Sequence, residues 1–263
     1  MPERSSYAHG IPSWVDLSSP DPEASAAFYG ALFGWEHVPP ENPEQSGGYG
    51  MFTLRGKLVA GVGPLMSEDQ PIVWSTYVAV DDADDVAAKV RDAGGQVFIE
   101  PMDVLDAGRM AFLVDPTGGF CGLWQAGRHH GAELVNEPGA LVWNELRTRD
   151  VEAAAAFYGE VLGWTTQPWA DDYQTWINDG DVVGGLTALG DEQPPEVPSH
   201  WSVSFVAEDV DETTAKARGL GGAVLVEPFD APPVGRVAVL TDTHGAMFAI
   251  VTPPTPQAAD ADT

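Results

Sequence analysis

The sequence predicts an α+β protein built from four βαβββ modules in tandem, and three observations carry that reading. The stretch Trp14–Trp35 (WVDLSSPDPEASAAFYGALFGW) aligns without a gap on Trp143–Trp164 (WNELRTRDVEAAAAFYGEVLGW), with twelve of 22 positions identical. A second block, Trp74–Trp124, aligns with Trp201–Val251 at a constant offset of 127, matching Gly94-Gly95 to Gly221-Gly222 and Gly108-Arg109 to Gly235-Arg236. Within each block one alternating run precedes one helical period, and short strand-like runs follow.

The first module opens with Ser13–Ser18, where apolar and polar residues alternate as in a half-buried strand. Asp21-Pro22 then supplies an N-cap followed by proline at the first helical position, so a helix begins at about Pro22. Ala24, Ala27, Phe28, Ala31 and Leu32 share one helical face, and Gly34 suits a left-handed C-terminal cap. Strand-like runs follow near Trp35–Val38, Tyr49–Arg55 and Lys57–Gly63. The second module repeats the order, with a strand over Ser75–Val80 and a helix over Asp84–Ala93 that presents Val86, Val90 and Ala93 on one face. Its remaining strands fall near Gln96–Glu100, Arg109–Val114 and Phe120–Gln125. The repeat carries the same elements into the second half.

The chain therefore divides into residues 1–126, with modules at about 10–65 and 72–126, and residues 139–252. A polar, turn-rich linker of residues 127–138 (GRHHGAELVNEP) joins them. The tail of residues 253–263 (PPTPQAADADT) is expected to be disordered. Twelve Lys+Arg against 40 Asp+Glu give a formal charge of -28, a field that repels polyphosphate and excludes nucleic acid and anionic membrane surfaces as partners. The one cysteine, Cys121, cannot close an internal disulfide and is expected to pack as a small apolar residue. With no signal segment and no long apolar run, the sequence reads as a cytoplasmic protein, monomer or homodimer.

Two motifs resemble those of the vicinal oxygen chelate superfamily, which includes glyoxalase I, extradiol dioxygenases, and the bleomycin and fosfomycin resistance proteins. One is D-x6-FY-x4-GW, at Asp21, Phe28-Tyr29 and Gly34-Trp35, and again at Asp150, Phe157-Tyr158 and Gly163-Trp164. The other is GR-x5-DPTG, at Gly108-Arg109 and Asp115–Gly118, which becomes Asp242-Thr-His-Gly in the second half. The resemblance implies that paired modules curl their sheets into cups that hold a ligand and often a divalent metal. It places the metal ligands on first and last strands, which here carry Trp14, Gly61, Ser75 and Gly122 in the first half and Trp143, Gly185, Ser202 and Ala249 in the second. None of these is a competent ligand. No metal and no cofactor are expected, and the resemblance points to the ligand-sequestering branch.

Period-2 alternation puts Trp14, Asp16 and Ser18 on the cup side of their strand, with Val15 and Leu17 on the other side. The same reasoning aims Trp143, Glu145 and Arg147 into a cup, and elsewhere Ser75, Tyr77, Phe120, Trp124 and Ser202. Indoles and phenols on a concave face suit a planar aromatic ligand; the alternative is that they fill a closed core. Asp16 and Glu145 sit at matched positions, where each either serves a ligand hydroxyl or acts as a general base. The alternative is a carboxylate satisfied by Arg109 or Arg236. The Gly-Arg pairs themselves read as structural. His129-His130 reads as part of a solvated linker, and His9, His37 and His200 lie at strand ends without a paired acid. The functional reading is a metal-independent protein that binds a small molecule, such as a polycyclic aromatic natural product, for resistance, delivery or as a biosynthetic accessory. Its alternatives are a cofactor-free hydroxylase-like, lyase or isomerase enzyme using Asp16 or Glu145, and a non-catalytic interaction scaffold.

Overall fold

The computed structural model describes residues 3–170, 172–190 and 193–252; the expected disordered tail lies outside the described residues. In the first half the order is β1 (Pro12–Ser19), α1 (Pro22–Phe33), β2 (Glu36–Val38), α2 (Pro43–Ser46), β3 (Gly50–Leu54), β4 (Lys57–Pro64), β5 (Trp74–Ala79), α3 (Ala83–Asp92), β6 (Gln96–Val104), β7 (Gly108–Val114) and β8 (Phe120–Ala126). The second half runs β9 (Leu141–Thr148), α4 (Val151–Leu162), β10 (Thr165–Ala170), β11 (Tyr173–Asn178), β12 (Asp181–Ala188), β13 (His200–Val206), α5 (Val210–Gly219), β14 (Ala223–Ala231), β15 (Gly235–Thr241) and β16 (Met247–Val251). Two differences from the sequence reading stand out. The one-turn helix α2 was not expected, and β6 continues past Glu100 to Val104, because it is an edge strand whose register shifts between Ile99 and Met102 and so tolerates Pro101.

Each half forms one eight-stranded mixed sheet. The orders are β2-β3-β4-β1-β5-β8-β7-β6 and β10-β11-β12-β9-β13-β16-β15-β14, so strands pair only within their own half. The helices do the opposite. One buried cluster joins α1 and the β1, β3, β4 face of the first sheet to α5, β15 and β16 of the second. Another joins α3, β7 and β8 to α4, β11 and β12. The sheets stand back to back, and Thr76 Oγ1 of β5 donates to Asn144 Oδ1 of β9 at 2.8 Å where they meet.

The repeated motifs build this junction. Asp21 accepts from the Ala24 amide at 3.0 Å, and Gly34 closes α1 at φ 76°, as the sequence predicted. Tyr29 Oη then donates to Asp242 at 3.3 Å across the halves, and Tyr158 Oη donates to Asp115 at 3.0 Å. Each phenol also accepts from an indole, Trp74 Nε1 and Trp201 Nε1 respectively, both at 3.0 Å. Trp35 Nε1 donates to the Gly139 carbonyl and Trp164 Nε1 to that of Gly10, at 2.7 and 2.8 Å. The degenerate turn keeps its function because Asp242 Oδ1 accepts from the backbone amides of His244 and Ala246, so the side chain at position 244 is free to vary. Cys121 is packed beside Tyr158, and burial pushes its thiol up to about 12. Among the described residues no helix is long and apolar enough to cross a membrane.

Candidate functional site

The back-to-back arrangement turns the concave face of each sheet outward, away from the helices, and the candidate residues separate into two cups. Trp14, Asp16, Ser75, Tyr77, Phe120 and Trp124 belong to the first; Trp143, Glu145 and Ser202 belong to the second. In the first cup Asp16 Oδ2 accepts from Tyr77 Oη at 2.7 Å and from Tyr49 Oη at 3.1 Å, and Ser75 faces it across the ladder. Tyr49 Oη in turn accepts from Trp14 Nε1 at 2.9 Å. Burial pushes the Asp16 carboxyl up to about 6 against the pull of these hydrogen bonds, and burial together with the Asp16 charge holds both phenols well above their ordinary range.

The proposed arginine partners are elsewhere. Arg109 binds Asp84 and Asp103, and Arg236 binds Asp211 and Asp230, each tying a helix N-terminus to the neighbouring hairpin. The Gly-Arg pairs are structural for that reason, and the acids of the cups are served by tyrosines.

The linker also departs from expectation, because it packs onto the first cup instead of lying in solvent. His129 sets its ring edge-on to Trp14, with centroids 4.4 Å apart, and Trp124 Nε1 donates to the His129 carbonyl at 2.9 Å. The Ala132 amide donates to the Ser13 carbonyl at 2.8 Å, and the Glu133 amide to that of Leu58 at 2.7 Å. Ala132 and Val135 thereby join Trp14, Tyr77, Phe112 and Trp124 in one buried cluster, with Phe120 stacked on Phe112 at its margin. Burial, reinforced by His130, pushes the His129 imidazole down to about 4.

The second cup repeats the polar arrangement without the cover. Trp143 Nε1 donates to Tyr173 Oη at 2.8 Å, and Tyr173 lies near enough to Glu145 to pull its carboxyl down. Arg147 Nε lies 3.6 Å from Glu145 Oε1. Burial raises the Glu145 carboxyl, while Tyr173, Arg147 and His200 oppose it. His200, which the sequence left without an acid partner, therefore sits in the field of Glu145: it faces Arg147 across the β9–β13 ladder, where Ser202 faces Glu145. The offset of 127 sets Ser204, Val239, Met247 and Val251 where the first cup has Tyr77, Phe112, Phe120 and Trp124. With these smaller side chains Trp143, Glu145 and Arg147 stay only half-buried, whereas Trp14 is 3% and Asp16 7% exposed.

Among the described residues neither cup brings together the donors that a divalent metal needs. A Cβ at Gly61 would stand 2.0 Å from Tyr49 Oη, one at Gly185 2.0 Å from Tyr173 Oη, and one at Gly122 2.3 Å from the Tyr77 ring. Tyrosines thus lie across three positions where the family's fold would place a metal ligand. Among the described residues no three His, Cys, Asp or Glu side chains converge to hold an ion.

Comparisons with known proteins agree with this architecture. Residues 11–120 and 140–250 each match the family model described as Glyoxalase/Bleomycin resistance protein/Dioxygenase superfamily. The chain is 47% identical over 264 residues to CFP32 of Mycobacterium tuberculosis, named as a proposed glyoxylase, covering 96% of this chain and 98% of that protein. It is 42% identical over 267 residues to the anthracycline biosynthesis protein DnrV of Streptomyces peucetius, covering 93% and 94%. Among solved structures, the Mn(II)-bound glyoxalase from Novosphingobium aromaticivorans superposes with a TM-score of 0.67 at 16% identity, over 94% of this chain and 84% of that one. The 2,3-dioxygenase LapB from Pseudomonas sp. KL28 gives 0.65 at 14% identity, over 97% of each chain. These two structures share the fold.

Proposed function

This chain belongs to the Glyoxalase/Bleomycin resistance protein/Dioxygenase superfamily, and from that premise we propose that its second cup binds a planar aromatic small molecule without a metal ion. The observation that carries this reading is the difference in filling between two cups of one design. The first is packed shut by its own aromatic residues and the linker, and the second keeps an indole, a phenol and a raised carboxyl only partly buried. Offset stacking on Trp143 contributes roughly 0.5–1.5 kcal/mol beyond burial, and Glu145 with Tyr173 supplies hydrogen bonds for a ligand hydroxyl. The 42% identity to an anthracycline biosynthesis protein supports a fused-ring ligand, with a role in delivery, self-protection or assembly of such a compound.

A second reading rests on Glu145. A half-enclosed carboxyl raised by burial, beside Tyr173 and His200, has the makings of a general base for a cofactor-free reaction. One experiment addresses both readings. Titrating a hydroxylated anthraquinone into the protein should quench part of the tryptophan fluorescence, and Trp143→Ala should abolish that response while Trp14→Phe spares it. An unchanged probe recovered after incubation supports binding alone, and a product lost in Glu145→Gln supports catalysis. Quenching that survives Trp143→Ala would refute the placement of the ligand in the second cup.

A further inference from the structure

Two nitrogens in the second cup are sealed from solvent and make no hydrogen bond among the described residues: Arg147 Nε and His200 Nε2. They belong to side chains on one face of the sheet, since His200 stands directly opposite Arg147 in the antiparallel β9–β13 ladder, where facing Cβ atoms are about 5 Å apart. Buried polar atoms are nearly always paired, so two orphans side by side mark a place that another group completes. Glu145 does not complete it. Its Oε1 is 3.6 Å from Arg147 Nε, beyond hydrogen-bond reach. His200 is held in place, because its Nδ1 donates to the Pro198 carbonyl at 2.9 Å, which leaves Nε2 as the ring's unpaired nitrogen.

Among the described residues the first cup leaves one such nitrogen, His129 Nε2, and no arginine nitrogen. The repeat sets Ser18 and Val73 where the second cup has Arg147 and His200. In a chain with 12 Lys+Arg against 40 Asp+Glu, an arginine turned into a concave face is a specific feature of that face.

We propose that Arg147 and His200 receive an acidic group, a carboxylate or an ionisable hydroxyl, carried by the planar aromatic ligand. The inference rests on the second cup being the ligand site and adds the ligand's chemical class. Arg147 Nε donates to the ligand oxygen in a charge-assisted hydrogen bond. A hydroxyl gives its own proton to His200 Nε2, the O–H bond breaking as the N–H bond forms, whereas a ligand that arrives as the carboxylate binds with one proton taken up from solvent at Nε2; either way the oxyanion is left between imidazolium and guanidinium. The charged and titratable groups around it are Glu145 and Arg147 on β9, Tyr173 on β11 and His200 on β13, while Trp143 supplies the flat apolar surface.

Calorimetric titration of the whole protein with anthraquinone-2-carboxylate, its 2-carboxamide, 2-hydroxyanthraquinone and unsubstituted anthraquinone tests this. The carboxylate should bind about tenfold or more tightly than the carboxamide, and Arg147→Met and His200→Phe should each bring that ratio to within about twofold. Trp143→Ala should weaken both probes alike. A hydroxyl probe that outbinds the parent ring, with the same dependence on Arg147, assigns the pair to an ionised hydroxyl; a preference confined to the carboxylate assigns it to a carboxylate. Equal binding of carboxylate and carboxamide, or a preference that survives both variants, overturns the proposal and leaves the cup as a ligand site. Failure of every probe to bind overturns the ligand site, and the proposal with it. Arg147→Lys, which keeps the charge without the Nε donor, should restore part of the preference if the variants act through charge and not through misfolding.

Discussion

The two cups start from the same local sequence and end as different objects. Each opens on a strand with tryptophan and, two residues on, an acid, Trp14 and Asp16 in one and Trp143 and Glu145 in the other. In each the indole donates to a tyrosine, which in the first cup donates on to the acid and in the second lies beside it. The first cup then stacks Tyr77, Phe112 and Trp124 around this centre and closes it with His129, Ala132 and Val135. Ser204, Val239 and Val251 stand at the matching places in the second. One backbone thus yields either a filled core or a partly exposed face. Side-chain volume, and a twelve-residue connection that finds the first cup and not the second, decide which.

The largest expected effect follows from that contrast. Trp14→Ala removes a packed indole 3% exposed and should cost about 3–5 kcal/mol of stability, as truncation of a buried tryptophan does. Trp143→Ala removes a half-buried one and should cost under about 2 kcal/mol while weakening ligand binding. Urea denaturation of the two variants measures both. Equal losses would show that the second cup is as much a core as the first.

Acidification sharpens the comparison, because the first cup holds two groups with opposite slopes. Asp16 titrates near 6 folded against 3.8 unfolded, so the native state binds the extra proton and stability rises as pH falls through about 6 toward 4. His129 titrates near 4 folded against 6.5 unfolded, so its contribution is complete above 6.5 and is lost as pH falls through that range to about 4. Each effect is on the order of 2–3 kcal/mol, and in the wild-type protein they oppose one another. Asp16→Asn should therefore leave a protein that loses stability between pH 6.5 and 4 relative to wild type, and His129→Gln one that gains it. Urea midpoints at pH 4.5, 5.5 and 7 decide the matter; parallel slopes in the two variants would separate His129 from the cup. Glu145→Gln should shift the profile less, because Glu145 is more exposed than Asp16.

The four modules were legible because the repeat is nearly literal, and the Asp-Pro and Gly-Trp boundaries of α1 are chemical signals that hold without tertiary context. The strand faces of Trp14, Asp16, Trp143 and Glu145 were legible from alternation alone. Tyr49 and Tyr173 were not, because the segments before β3 and β11 differ in length. The offset between repeats falls there from 129 to 124, and gapless comparison never aligns the two tyrosines. His200 was passed over because its proximity to Glu145 exists only through the β9–β13 register. The linker was misjudged from its charged ends, although the run Ala132, Leu134, Val135 inside it carried the signal of a segment that packs.

The smallest expected effect compares the two tyrosines. Tyr49→Phe leaves Asp16 with Tyr77 at 2.7 Å, so the Asp16 carboxyl should move little, but it strands the buried Trp14 Nε1 at a cost of about 1–3 kcal/mol. Tyr173→Phe does the reverse. Tyr173 is first among the groups that oppose the upward push of burial on Glu145, so its loss should raise that carboxyl further. Stability should fall by under about 1 kcal/mol, because water reaches the half-buried Trp143 Nε1 in place of the phenol. Carbon-detected titration of the two carboxyls, read beside the indole N–H resonances of Trp14 and Trp143, would register the crossing: a larger carboxyl shift in the second cup and a larger stability loss in the first. The same ordering in both measurements would mean that solvent does not distinguish the two cups.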